Sequence, residues 1–259
     1  MNKKIQTSVL FIVICFLACI KSFSQDTMQP QLFFVEDFTI KPSQRANFQE
    51  TIKEFIDLFK AHNFKYSVNS YWTSDFHMYF TFPIKDIGDV GSLFSEADAF
   101  SEKVGKEKWT ELHQKEFNDT EAYQYGLYYM RPDLSYIPEN PRLAVGEANY
   151  TEWTFVLIKP GMEAEAEAVW KEWVSFYKEK GIPDPFYVWE AFIGPELPLH
   201  IIISQGENAI DFHQAASSNM EKLGEDVSEL YEKTFKLLKR IENKRGWVQR
   251  DLSYTPNGE

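Results

Sequence analysis

The chain has 259 residues, 39 of them acidic against 27 lysines and arginines, a formal net charge of -12 at pH 7, and 16% aromatic residues. That charge argues against nucleic acid or an anionic membrane surface as a partner, and a solvated surface accounts for it equally well. The two cysteines, Cys15 and Cys19, both lie in the first two dozen residues, so a chain processed after them has no disulfide, thiolate nucleophile or cysteine-ligated metal.

Those first residues have the layout of a cleavable export signal. Lys3 and Lys4 precede an apolar run from Ser8 to Ile20, and a polar stretch of small residues, Lys21-Ser-Phe-Ser-Gln25, follows. Ser22 and Ser24 supply the small side chains that a signal peptidase requires. Cleavage is therefore expected to remove residues 1–24, leave Gln25 as the terminus and deliver the protein to the periplasm or the exterior. Loss of Lys3, Lys4 and Lys21 leaves 24 basic residues against 39 acidic ones, a formal charge of -15. The alternative is lipid attachment at Cys19, which follows Ala18 as a lipobox demands, although Leu17 stands one place late. No later segment is apolar over the length of a membrane helix.

From Gln25 onward the elements come in two rounds. Phe33 to Ile40 is aromatic and β-branched, as a strand requires, and Pro42-Ser43 marks the turn into a helix ending near Lys60. Phe48, Ile52, Phe55 and Phe59 recur at helical spacing and form one apolar stripe. Tyr66 to Trp72 and His77 to Phe82 read as a strand pair joined by a short turn. A helical region from Leu93 to Phe117, interrupted at Gly105, leads to a strand from Gly126 to Arg131, which Pro132 ends. After a linker, Glu139 to Asn149, the order returns: strand Trp153 to Ile158, helix Met162 to Lys180, strands Phe186 to Phe192 and His200 to Ser204. One long final helix is expected to carry Met220, Leu223, Val227, Leu230, Leu238 and Ile241, before a strand from Trp247 to Arg250.

The two rounds are copies. Ile40-Lys-Pro42 recurs as Ile158-Lys-Pro160, Lys53-Glu-Phe55 as Lys171-Glu-Trp173, and Asp133-Leu-Ser-Tyr136 as Asp251-Leu-Ser-Tyr254, each 118 positions on. Residues 25–138 form copy one and residues 150–259 copy two, joined by the linker at 139–149. Each copy reads strand, helix, strand, strand, helix, strand, the ferredoxin-like βαββαβ unit with both helices on one face of a four-stranded sheet. Large side chains on both faces of the strands imply that two such α+β units pack sheet to sheet. In this order and in the paired blocks the chain resembles the dimeric α+β barrel superfamily, which includes antibiotic biosynthesis monooxygenase-like and NIPSNAP-like proteins, here with both halves fused as a pseudo-dimer. Any further oligomer is left open.

The resemblance implies a small, often aromatic ligand or haem held between sheet and helices, with cofactor-independent oxidation in some members. For haem it implies a helix histidine, and His113 and His213 are the candidates; the alternative is an exposed helix histidine in each case. Strand alternation puts Asn69, Tyr71, His77, Tyr79 and Thr81 on one face of copy one, and His200, Ile202 and Ser204 on the matching face of copy two. Tyr71, His77, Tyr79, Glu190 and His200 are therefore the candidate ligand-binding residues. The competing account makes the two histidines strand-end residues bonded to backbone or water. The repeated Asp-Leu-Ser-Tyr blocks, with Asp133 and Asp251 as conceivable bases beside Tyr136 and Tyr254, read more simply as turn caps with a tyrosine closing the barrel rim. No nucleophile triad, phosphate loop or metal motif is present. Two functions of different class remain: an exported binder of an aromatic or hydrophobic small molecule, with or without oxidation, and a non-catalytic interaction module whose lumen its own rings fill.

Overall fold

A computed structural model describes residues 29–256; the expected export signal, with Cys19 and the Gln25 cleavage point, lies outside the described residues. Eight strands close into one antiparallel barrel in the order β1-β3-β2-β8-β5-β7-β6-β4. The strands of copy one are β1 (Gln31–Ile40), β2 (Asn69–Thr73), β3 (His77–Ile84) and β4 (Thr120–Met130). Those of copy two are β5 (Tyr150–Ile158), β6 (Phe186–Ile193), β7 (Leu199–Gly206) and β8 (Leu238–Val248). Two seams join the copies: β2 to β8, with Trp72 opposite Trp247, and β4 to β6, with Tyr129 opposite Glu190. Closure removes the open edges that either four-stranded sheet would carry alone.

The helices lie outside the barrel. α1 (Arg45–His62) buries Phe48, Ile52, Phe55 and Phe59, the stripe that the sequence pattern marks, and ends on Asn63 in a left-handed conformation. α2 (Gly88–Val104) and α3 (Lys106–Asp119) are separated at Gly105, whose φ of 92° favours glycine. In copy two α4 (Glu163–Glu179) buries Trp170 and Trp173, and α5 (Ala209–Leu223) breaks from α6 (Val227–Leu237) at Gly224. Among the described residues no helix is long and apolar enough to cross a membrane.

The long final helix expected from sequence is thus two helices, and it stops at Leu237. Leu238 and Ile241 belong instead to β8, eleven residues long, which pairs with β5 along nearly its whole length. Backbone pairing decides this: without β8 the N–H and C=O groups of β5 would have no partner on that side, and the helical preference of Lys236 to Ile241 is weaker than a missing ladder. β4 likewise begins at Thr120, six residues before the expected Gly126, because β1 needs a partner as far as Ile40.

The Asp-Leu-Ser-Tyr blocks do not close the barrel rim; they are exchanged between the copies. Leu252 and Tyr254 join the copy-one core with Phe59, Phe64 and Val68, while Leu134 and Tyr136 join the copy-two core with Trp173 and Phe186. The Tyr254 hydroxyl donates to the Phe64 carbonyl at 2.9 Å and that of Tyr136 to the Ile182 carbonyl at 2.8 Å. Ser253 Oγ accepts from the Ser70 N–H, and Ser135 Oγ from the Val188 N–H. Each pair of acceptors and donors is again 118 positions from its twin, so the exchange is a property of the duplicated unit.

Candidate functional site

Among the described residues, two cavities bear on the candidate residues. The first is the barrel lumen, a space of about 340 Å³ whose wall includes Asp37, Tyr71, His77, Tyr79, Trp153 and Phe155. The lumen is therefore not filled by its own rings. His77 Nδ1 lies 2.6 Å from Asp37 Oδ1, and Gln124 Nε2 donates to Asp37 Oδ2 at 2.7 Å. Lys244, from β8, reaches Asp75 Oδ2 at 2.6 Å, and its ammonium stands 5.0 Å from the Phe155 ring centre. Burial alone would raise the Asp75 carboxyl, but Lys244 and the Thr73 hydroxyl outweigh it and hold Asp75 below the usual range. Burial, with Asp37 and Asp75 close by, holds the Tyr79 hydroxyl protonated far above its ordinary range, and burial with Asp37 moves Tyr128 to about 12.

Strand registers explain which candidates reach this lumen. Tyr71, His77 and Tyr79 line it; Glu190 and His200 do not. In the β1–β3 ladder Thr39 faces His77, and in the β5–β7 ladder Leu157, its twin 118 positions on, faces Leu199. The twin of His77 is therefore Leu199, not His200. The longer β6–β7 loop moves the offset of β7 to 122, and pairing His77 with His200 slips the register by one residue, which turns a side chain to the opposite face of the sheet. His200 points to the helix layer, where the Trp170 indole N–H donates to its Nδ1 at 2.7 Å, and burial lowers its pKa. Glu190, opposite His200 in the β6–β7 ladder, meets Arg131, which also binds Asp133 and Glu167. Asp133 is engaged by that guanidinium, which holds its carboxyl low, rather than poised as a base.

The second cavity, about 290 Å³, lies between the copy-one sheet and its helices, among Ile52, Phe55, Phe59, Leu93 and Phe94. At the levels of Ile52 and Phe55 copy two carries Trp170 and Trp173, both buried, whose N–H groups are bonded to His200 and Thr234. The duplicated frame is thus hollow here in copy one and occupied by indoles in copy two. Glu36 projects from β1 into this cavity, and among the described residues no group hydrogen-bonds its carboxyl. Burial first, and the charge of Glu116 second, raise its pKa to about 8, so Glu36 is neutral at pH 7. At the cavity wall His113 Nδ1 lies 2.9 Å from Glu116 Oε2.

His113 is one of the two histidines considered for haem. Its ring is hemmed by Phe55, Trp109 and Phe117, with centroids at 5.0, 4.8 and 6.1 Å, and the cavity beside it suits a compact molecule of a few rings rather than a tetrapyrrole. His213 stands exposed on α5, 4.0 Å from Glu152, outside both cavities. The residues present do not fit haem. No group of three or more His, Cys, Asp or Glu among the described residues could hold a metal ion.

Residue-by-residue reading of the sequence missed Asp37, Gln124, Lys244 and Glu36. A signal for two of them was available: along the 118-residue offset Asp37 stands against Phe155, and Glu36 against Thr154, so copy one carries charge where its twin is uncharged.

No protein-family model matches this chain, and no curated protein is significantly similar to it. Solved structures are. An anthrone oxidase-like protein superposes with a TM-score of 0.59 at 12% identity, covering 89% of this chain and 95% of its own. A proposed monooxygenase from Lactobacillus acidophilus gives 0.54 at 11% identity, covering 88% and 97%, and another from Fusobacterium nucleatum subsp. nucleatum gives 0.51 at 10%, covering 86% and 94%. The chain has the dimeric α+β barrel fold. At such identities the likeness establishes the barrel and its two helix layers, and the chemistry has to be argued from the side chains.

Proposed function

We propose that this is an exported protein that binds an aromatic or hydrophobic small molecule in the copy-one cavity between sheet and helices. The observation that carries the reading is Glu36. A carboxyl group without a protein partner in an apolar cavity costs folding free energy, and such a cost is accepted where a ligand uses the group. Neutral at pH 7, Glu36 offers one O–H donor and a carbonyl acceptor, so the ligand would present a phenol or carbonyl to it and rest its rings on Phe55 and Phe94. The indoles at the same levels of copy two support a single sheet–helix site per chain.

Native mass spectrometry of the protein taken from its own periplasm tests for a retained molecule. For a defined probe, 1-naphthol should bind the purified protein with its fluorescence changed, and Ala97→Phe, which grows a ring into the cavity from α2, should abolish binding while the melting temperature is kept. Glu36→Gln should weaken binding by roughly tenfold, the scale of one buried hydrogen bond. Full binding by a folded Ala97→Phe protein would refute the assignment.

A further inference from the structure

We propose that the barrel lumen is a second binding site, and that it takes an organic cation: a protonated or quaternary amine carried on an apolar body. It is separate from the sheet–helix cavity and does not depend on what that cavity binds.

Three features of the lumen wall point to this class. The first is a row of rings. His77 and Tyr79 stack at 5.7 Å and 14°, Tyr79 meets Trp153 at 4.9 Å and 30°, and Trp153 meets Phe155 at 6.3 Å and 23°. The Trp153 indole can lie against β8 because Gly246 has no Cβ; one placed there would come within 2.9 Å of the indole nitrogen. Faces of this kind attract cations through the ring quadrupole, and more strongly out of water.

The second feature is charge. Asp37, Glu196 and Glu242 line the lumen against the two permanent cations Lys244 and Arg240; Lys244 is paired with Asp75 behind the wall, and Arg240 is already held by Glu196 at the mouth. The remaining titratable wall groups are His77 and the tyrosines. The Tyr79 hydroxyl lies within the influence of the Asp37, Asp75 and Glu242 carboxylates. An anionic ligand beside it would meet these carboxylates.

The third is that an ammonium already lies among these groups. Lys244 donates to the Tyr79 oxygen at 3.4 Å, pairs with Asp75 and stands over Phe155. It shows the seat a ligand cation would use. Opposite, the β7 part of the wall is apolar: Leu199 and Ile201 stand where copy one has His77 and Tyr79, and an alkyl or aryl body can rest there. Entry is available beneath the linker, where a space of about 600 Å³ shares Tyr71, Tyr187 and Gln205 with the lumen.

The test uses three probes of one shape and different charge: choline, 3,3-dimethylbutan-1-ol and 3,3-dimethylbutanoate, titrated into the full-length mature protein by calorimetry. Choline should bind at least tenfold more tightly than the neutral alcohol, and the carboxylate more weakly than either. Phe155→Leu, at a half-buried position, should weaken choline at least tenfold, whereas Ala97→Phe, in the other cavity, should leave it unchanged. Lys244→Met vacates the seat and frees Asp75, so it should tighten choline about tenfold, an outcome that mere loss of structure cannot produce. The proposal is overturned if the alcohol or the carboxylate binds as tightly as choline. It is also overturned if neither the wild type nor Lys244→Met binds choline, or if a folded Phe155→Leu protein binds it as well as the wild type.

Discussion

Replacing Glu36 by glutamine tests the electrostatics of the copy-one cavity with no ligand present. The carboxyl has a pKa of about 8 in the folded protein, against 4.5 for the free group. Between these values the folded chain keeps a proton that the unfolded chain has released, so stability falls as pH rises through this window. A tenfold difference in proton affinity between the two states corresponds to about 1.4 kcal/mol. Moving from pH 5 to pH 8, the wild type should therefore lose about 3 to 4 kcal/mol relative to Glu36→Gln, which keeps the shape and cannot ionise. His200 and the other titrating groups that do not couple to Glu36 contribute equally to both proteins and cancel in the difference. Urea unfolding followed by tryptophan fluorescence at pH 5, 6, 7 and 8 measures it, with the variant expected to be the more stable protein at pH 8. Parallel stability curves, with the difference changing by less than about 1 kcal/mol across that range, would refute the reasoning and mean that Glu36 ionises freely.

His200→Phe should cost about 1–3 kcal/mol at pH 8, because the buried Trp170 N–H loses its acceptor. Since burial lowers the His200 pKa below its ordinary 6.5, the wild type itself loses stability on acidification through that value, and the gap between the two proteins should narrow at pH 5.5 in the same urea assay. Copy one expressed as Gln25 to Pro138 would lack Leu252 and Tyr254 from its core and would present β2 and β4 as open edges; light scattering should find it dimeric or aggregated, and a cooperative monomer would contradict the barrel. Tyr254→Phe removes only the hydroxyl that reaches Phe64 from the other end of the chain and should cost about 1 kcal/mol in thermal unfolding, with Tyr136→Phe matching it. If the chain is exported as proposed, intact-mass measurement should give Gln25 as the first residue, and a diacylated Cys19 would exclude that cut.

The duplication, the order of elements in each copy and the need for two sheets to cover each other were all legible in the sequence, because they rest on patterns local to a strand or helix. Apolar stripes such as Phe48 to Phe59 repeat with the helical period, and the 118-residue offset needs no third dimension to be seen. What the tertiary structure alone decided depends on register and on partners distant along the chain. His200 differs from the twin of His77 by one residue, and in a structure of period two one residue is the difference between lumen and helix layer. β8 extends through a helix-like sequence because β5 must be paired, and Tyr136 and Tyr254 cross into the opposite copy because the cores that accept them are built from residues elsewhere in the chain. Asp37, His77 and Gln124 come from three neighbouring strands of the copy-one sheet, and closure of the barrel at the β2–β8 seam brings Lys244 to the same wall. Glu36 and Asp37 are neighbours in sequence, yet pleating sends one to each cavity, and the surroundings met there, rather than the residue type, set what each carboxyl can do.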